Sequence, residues 1–203
     1  MNRIEALYSF ISEEDKVVDV GCDQAKLGLM LASRGQKSIA SDRSLNVIDR
    51  ARHDLGRNKY IDLRVSDGLD NINEGEADTL VLAGMGTHTM LEILNKTSLR
   101  FKKIITISNN YHNILREKMN ELNYKVDSEL IVYDMNKYYN LIVFVPGNRE
   151  YSEKELLLGV NHVDLSMYIK YIDFLRKKYT NIKETSKYKN EKVDKMLEHI
   201  NSL

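Results

Sequence analysis

Short apolar runs that alternate with amphipathic stretches constrain this chain more than any other feature. Lys16–Val20, Ser38–Ser41, Ile61–Val65, Thr79–Ala83 and Ile104–Ile107 each hold four or five residues, the length of a strand buried on both faces. Stretches with helical spacing lie near 24–34, 44–58, 87–95 and 111–122. Parallel strands need crossovers of this kind, so the βαβα order predicts a parallel sheet covered on both faces.

Two last runs, Lys125–Val132 and Tyr138–Val145, are joined by Tyr133-Asp134-Met135-Asn136-Lys137. That leaves no room for a crossover helix and predicts an antiparallel hairpin ending the sheet. Five parallel strands followed by a hairpin is the order of Rossmann-like class I methyltransferases, whereas dinucleotide dehydrogenases usually continue with another parallel unit. By fold analogy, 1–146 reads as an α/β domain of the first kind. After Pro146, the only proline, the alternation stops. Tyr168, Ile172, Leu175, Tyr179 and Ile182 form one narrow apolar seam, and Val193, Met196, Ile200 and Leu203 form a second. The expectation for 147–203 is a C-terminal α-helical hairpin with coiled-coil-like packing.

Composition narrows the function classes. Thirty Lys+Arg balance thirty Asp+Glu, which excludes a uniformly basic nucleic-acid coater but not a local basic face. One such face is available: 170, 176, 177, 178, 183, 187, 189, 192 and 195 are all Lys or Arg, against four acids in the same span. A solvated outer helix face and a phosphate-contacting surface both fit it. No apolar run approaches the roughly 18–20 residues needed to cross a bilayer, and Met1-Asn2-Arg3-Ile4-Glu5 lacks a signal-peptide layout. A cytoplasmic, monomeric protein with no membrane partner is expected. A lone Cys22 forms no internal disulfide, and the five His lack metal-ligand spacing, so no metal is expected.

Ligands of open α/β sheets sit at the carboxyl ends of the strands. Strand one ends in Asp19-Val20-Gly21-Cys22-Asp23-Gln24-Ala25. Gly21 permits close backbone approach, and a helix from about Gln24 aims its amides at the same place. This is not a GxGxxG loop, and Asp23 would repel a pyrophosphate. Strand two ends at Ser41-Asp42-Arg43, where a carboxylate accepts ribose hydroxyls of either a nicotinamide or an S-adenosylmethionine ligand. Strand three ends at Ser66-Asp67-Gly68-Leu69, a second carboxylate suited to an adenine amine. Strand four ends at Ala83-Gly84-Met85-Gly86-Thr87, with two glycines clearing space and Met85 placed to pack under a ligand.

These residues resemble the bacterial tRNA adenine-N1-methyltransferases that modify position twenty-two of tRNA. That family's Asp-Ile-Gly-Ser-Asp-His-Ala-Tyr-Leu-Pro is similar to Asp19-Val20-Gly21-Cys22-Asp23-Gln24-Ala25-Lys26-Leu27-Gly28, and its Gly-Asp-Gly-Leu to Ser66-Asp67-Gly68-Leu69. Its Ala-Asp-Thr and Ala-Gly-Met-Gly-Gly resemble Ala77-Asp78-Thr79 and Ala83-Gly84-Met85-Gly86-Thr87. Leu115-Arg116, Asn123-Tyr124 and Lys137-Tyr138-Tyr139 match further family positions, so the likeness spans most of 1–146. Departures from it include the loop after strand five and three single positions. Ser108-Asn109-Asn110 stands for Gln-Pro-Asn, Asp42 for Glu, Thr87 for Gly, and Lys26 for an aromatic residue.

The resemblance implies S-adenosyl-L-methionine (SAM) as methyl donor, S-adenosyl-L-homocysteine as product and adenine N1 in tRNA as acceptor. It implies cofactor contacts from Asp19, Gly21, Cys22, Asp23, Asp42, Arg43, Asp67, Gly68, Ala83, Gly84, Met85 and Gly86. Asn109 and Asn110 are then expected to hold the target base, with Tyr111 or Tyr138 stacking on it. An Asn that caps a helix and a half-buried strand Tyr fit the same positions. Lys26, Arg50, Arg57, Lys177, Lys178 and Lys183 are the expected tRNA contacts, with Arg43, Arg50 and Arg57 stepping by seven along one face. A methyltransferase for another RNA, a protein or a small molecule would share the cofactor residues. So would a non-catalytic RNA-binding or SAM-sensing relative.

Overall fold

The computed structural model describes residues 1–186, 188 and 190–203; Lys187 and Lys189 of the basic stretch lie outside the described residues. In chain order the elements are α1 (Arg3–Ser9), β1 (Val17–Val20), α2 (Lys26–Ser33), β2 (Ser38–Asp42), α3 (Leu45–Leu55), β3 (Ile61–Val65), β4 (Thr79–Ala83) and α4 (Thr87–Lys96). They continue with β5 (Lys103–Ile107), α5 (His112–Glu121), β6 (Tyr124–Asp134), β7 (Lys137–Pro146), α6 (Glu153–Leu158), α7 (Leu165–Thr185) and α8 (Glu191–Asn201). The strands form one sheet in the order β3-β2-β1-β4-β5-β7-β6. The first five are parallel, and β7 runs antiparallel to both β5 and β6.

The apolar runs of β1, β2, β4 and β5 are continuous because both sheet faces are covered; β3, expected to be buried, is the edge strand, and only Ile61 of its five residues is buried. Leu80 and Leu82 on β4 join Val18, Val20, Met90, Leu94, Ile104, Leu115 and Phe144 on one side. Val81, between them, points to the other side and joins Leu7, Leu27, Leu31, Ile105 and Val143. This period-2 split within one buried strand places the two core layers. Strand order reverses between β1 and β4, and that reversal opens a crevice at the carboxyl ends of the strands.

The hairpin is longer and tighter than its apolar runs suggest. Pairing continues through Tyr133↔Tyr138 and Asp134↔Lys137, so the expected five-residue connection shrinks to Met135-Asn136. Both have positive φ, 47° and 62°, as a two-residue primed turn requires. Methionine carries no sequence signal for that conformation. Helix α2 starts at Lys26 rather than near Gln24, because Asp23 and Ala25 take left-handed backbone, φ 47° and 50°. Helix α3 covers only 45–55, so Arg43 precedes it and Arg57 follows its terminating Gly56. The seven-step basic face expected there does not exist as one helix face; only Arg50 lies on α3.

Two short helices have no counterpart in the apolar pattern, and each carries a capping box. Asn2 Oδ1 accepts from the Ile4 and Glu5 amides while Glu5 Oε2 accepts from the Asn2 amide. Ser152 and Glu155 do the same for α6. Beyond Pro146 the expected helical hairpin is present, as α7 and α8. Its seam is shared with α6: Leu158, Ile172, Leu175 and Ile200 are buried together, with Leu157, Tyr179 and Met196 against them. Leu203 departs from the expected seam. It lies past the end of α8 and is 60% exposed.

Candidate active site

The crevice at the strand reversal is a cleft of about 780 Å³. Gly21, Asp42, Arg43, Asp67, Gly68, Gly84, Met85, Gly86 and Asn109 from the expected set all line it. These positions come from four successive strand ends and the loop after β5, so the fold brings together residues scattered across ninety positions of sequence.

Local hydrogen bonding fixes each loop. The Gly21 and Cys22 amides both donate to the Ser41 carbonyl, at 2.8 and 3.0 Å, which bends the chain sharply out of β1 beside β2. Gly21 has φ +80°, and a Cβ there would stand 2.9 Å from Met85 Cε. The positive φ favours glycine, and the contact sets Met85 directly against its backbone. Asp42 Oδ1 accepts from the Ser44 amide at 2.9 Å, which orients its carboxylate at the mouth of the cleft. Ser66 Oγ donates to the Gly68 carbonyl at 3.0 Å and accepts from the Asn71 amide at 3.1 Å, holding Asp67 between them.

Asn109 and Asn110 differ in role. Asn109 lines the cleft, its Nδ2 donating to the Gly84 carbonyl at 3.0 Å and its amide to the Met85 carbonyl at 3.1 Å. Asn110 Oδ1 instead accepts from the Thr87 amide at 3.3 Å, serving the free N-terminus of α4. Thr87, which stands where the resembled family has glycine, is buried and locks this loop: its Oγ1 donates to the Asn110 carbonyl at 2.6 Å and contacts Ser108 Oγ at 2.7 Å.

Four of the expected cofactor residues are not among those lining this cleft. Asp19 and Cys22 are buried, while Asp23 and Ala83 do not line it. Burial, with the Asp42 charge adding to it, pushes the Asp19 carboxyl up to about 7, and burial pushes the Cys22 thiol up to about 12. Cys22 is therefore an uncharged packing residue and no nucleophile. For Asp19 the consequence is a pH dependence. Between the ordinary carboxylate value of 3.8 and about 7 the folded chain keeps a proton the unfolded chain has lost, so stability falls as pH rises through that window. Asp19→Asn, which cannot ionise, is expected to match wild type in urea unfolding near pH 4. Near pH 8 it should exceed wild type by about 2 kcal/mol. Parallel pH profiles for the two proteins would contradict this reading.

The cleft also has a wall that the strand-end motifs do not mark. Thr89, Glu92, Ile93 and Lys96 on α4 line it together with Leu69, Asp70, Ile72, Ser98 and Leu99. The α4 residues follow a helical spacing legible in the sequence, yet nothing there separates a face over a cleft from a face over solvent. Tyr111, two residues past Asn109, is 53% exposed and its ring meets His88 at 5.6 Å. Tyr138 has a different environment: it packs among Tyr133, Tyr171 and Phe174 at 4.8–5.4 Å. That cluster gives it the structural role open to a half-buried strand residue, and leaves Tyr111 as the ring beside Asn109.

Lys26, Arg50, Arg57, Lys177 and Lys178 are exposed. Lys183 pairs with Asp194 across the helical hairpin at 2.7 Å, so its charge already has a partner within the fold. Among the described residues no three His, Cys, Asp or Glu side chains converge on a metal position. No described helix is long and apolar enough to cross a membrane.

A reversed-order parallel sheet closed by an antiparallel hairpin, with glycines and two carboxylates at its strand ends, defines a Rossmann-like class I methyltransferase fold. Residues 1–142 match the family model described as a methyltransferase domain, and the chain belongs to that family. Among curated proteins it is 28% identical over 156 residues to a tRNA (adenine(22)-N(1))-methyltransferase of Bacillus subtilis (strain 168). That alignment takes in 73% of this chain and 66% of the relative, a little under two thirds of its length.

Solved structures show the same fold over nearly the whole chain. The Streptococcus pneumoniae protein Sp1610 superposes with a TM-score of 0.89 at 21% identity, covering 100% of this chain and 98% of that one. The same protein in complex with S-adenosyl-L-methionine gives 0.86 at 22% identity, covering 100% and 99%. TrmK of M. capricolum, in complex with S-adenosyl-homocysteine, gives 0.81 at 24% identity, covering 98% and 93%.

Proposed function

We propose that the protein transfers a methyl group from S-adenosyl-L-methionine to N1 of an adenine in tRNA, the adenine at position twenty-two. The carrying observation is the convergence of Asp42, Asp67, Gly21 and Asn109 on one cleft at the strand reversal. The donor set suits a ribose-bearing, cationic nucleoside. Asp42 accepts from ribose hydroxyls, Asp67 from an adenine amine, and Leu69, Ile72, Ile93 and Leu99 supply an apolar wall for a base. Gly21 gives the ligand access to backbone, with Met85 beneath. The tRNA part of the reading draws on the Bacillus subtilis relative and on the family resemblance of the motifs.

When bound, the cofactor supplies a methyl group carried on a sulfonium. Adenine N1 has an in-plane lone pair, so the chain must position and orient rather than remove a proton. The site accords with that. His112 Nε2 is engaged by the Ser108 carbonyl and its ring is covered by the Asn140 amide, and the Cys22 thiol is held protonated. N1 lies on the Watson–Crick edge, so the base must be unpaired and turned toward the cleft, at a cost of a few kcal/mol. Asn109 stands at the cleft to meet that edge, and the exposed Tyr111 ring beside it offers a stacking surface. Exposed Lys26, Arg50, Arg57, Lys177 and Lys178 offer phosphate contacts, with 147–203 as a helical extension of the catalytic domain. A monomer working in the cytoplasm completes the reading.

The test is incubation with methyl-labelled SAM and unmodified tRNA, followed by digestion and mapping. Label in 1-methyladenosine at position twenty-two is the expected result. SAM binding without label in any tRNA adenine would overturn the assignment.

A further inference from the structure

Behind the loop that carries Asn109, a run of polar contacts crosses from the sheet into the C-terminal helices. His112 opens α5, and its Nε2 lies 3.1 Å from the Ser108 carbonyl at the end of β5. Nδ2 of Asn140 on β7 lies 3.0 Å from the imidazole Nδ1 and 3.5 Å from Nε2, so the amide lies across the ring. Asn140 is buried, and the same Nδ2 reaches the Tyr171 hydroxyl on α7 at 3.3 Å. A carbonyl only accepts, so Nε2 carries the proton and donates to Ser108. The Asn140 amide, within 3.5 Å of both ring nitrogens, packs across the imidazole and also reaches the Tyr171 hydroxyl. Tyr171 in turn packs on Tyr138, whose ring also meets Phe174.

We infer that His112 is a positioning residue for methyl transfer, setting the Ser108–Asn110 loop through Ser108 and tying that loop to α7 through Asn140 and Tyr171. The inference rests on the proposed tRNA reaction for its kinetic consequence but not for its structural one. Asn109 is one residue beyond the carbonyl that His112 holds. Its own two hydrogen bonds, to Gly84 and Met85, place its carboxamide at the cleft. A displacement of about 1 Å in such a group can cost about a hundredfold in rate. Because α7 also carries the exposed Lys177 and Lys178, RNA pressed against that helix would bear on the same contacts. The helical extension would then act on the site as well as on affinity.

The experiment compares full-length wild type, His112→Ala, His112→Gln and Tyr171→Phe in amide hydrogen exchange and in methylation of tRNA at saturating SAM. Glutamine offers an amide donor that can replace the Nε2 contact with the Ser108 carbonyl. His112→Ala is expected to bind SAM, to exchange the 108–111 amides about tenfold faster, and to lose kcat by about 10- to 100-fold with a smaller change in the KM for tRNA. His112→Gln should recover kcat to within about fivefold of wild type, a rescue that loss of general packing would not give. Tyr171→Phe keeps the ring and should speed the same exchange about threefold at unchanged Tm. Wild-type kcat and exchange in His112→Ala, or a glutamine variant no better than alanine, overturns the inference. So does unaltered exchange in Tyr171→Phe, which also decides the matter if His112→Ala does not fold. If wild type methylates no tRNA, the functional reading fails, and the exchange measurements still decide the link.

Discussion

Arg116→Met should lower unfolding stability by about 3–5 kcal/mol, the cost of leaving a buried charge without its partner. Arg116 and Glu129 are 1% and 0% exposed. The guanidinium meets the carboxylate twice, Nε to Oε1 at 2.8 Å and Nη2 to Oε2 at 2.6 Å, and its Nη1 donates to the Leu156 carbonyl at 2.7 Å. Glu129 Oε1 also accepts from the Val160 amide at 3.0 Å. One ion pair thus binds α5, β6 and the segment that begins the C-terminal helices. Gly159 passes so close that a Cβ there would stand 2.7 Å from Glu129 Oε2, and its φ of +88° is glycine's own. Methionine fills much of the arginine volume, so the loss reports the stranded carboxylate more than a cavity. The double variant Arg116→Met with Glu129→Leu removes both charges and should recover most of the loss. Urea unfolding with unchanged slope measures it. A loss below about 1 kcal/mol for the single variant would mean that Glu129 reaches water, contrary to its burial here.

That pair also marks where sequence reading stops. Leu115-Arg116 was recognisable as a family-like dipeptide, but nothing in the sequence says that Arg116 faces Glu129 thirteen residues on. Their meeting depends on how α5 lies over β6. What periodicity can report, it reported: the five parallel strands, four of them buried, the covering helices, the closing hairpin and the C-terminal helical pair all follow from runs of apolar residues. The same method is blind to elements whose signal is in their caps. Asn2-Arg3-Ile4-Glu5 and Ser152-Glu153-Lys154-Glu155 are capping boxes in plain view, yet α1 and α6 are too short to show a convincing apolar period. At the site, residues fixed by strand ends were legible because a parallel sheet sends every such end to one edge. Residues fixed by packing were not. The α4 wall of the cleft, the Tyr138 cluster and the turning of Asn110 onto α4 all depend on which side of an element faces inward.

Asp42→Ala should weaken SAM binding by about 3 kcal/mol, more than a hundredfold in Kd, because a carboxylate contributes about 1.5–3 kcal/mol per charge-assisted hydrogen bond and a ribose offers two hydroxyls. The geometry favours a large effect. The Ser44 amide already holds Oδ1 at 2.9 Å, so the group is oriented before any ligand arrives, and little of the binding energy goes into ordering it. Asp42→Glu, the residue the resembled family carries there, should stay within about tenfold of wild type, since it restores the charge and moves it by one methylene. Titration calorimetry with SAM gives both numbers. Because ribose sits away from the reacting methyl, kcat at saturating SAM should change far less than Kd, the pattern of uniform binding. Alanine would also remove the charge that helps keep Asp19 protonated, so the pH window in which the fold loses stability should narrow from its upper end. A Kd within about threefold of wild type would remove Asp42 from the ribose position. It would leave Asp67 as the carboxylate to examine at the same cleft.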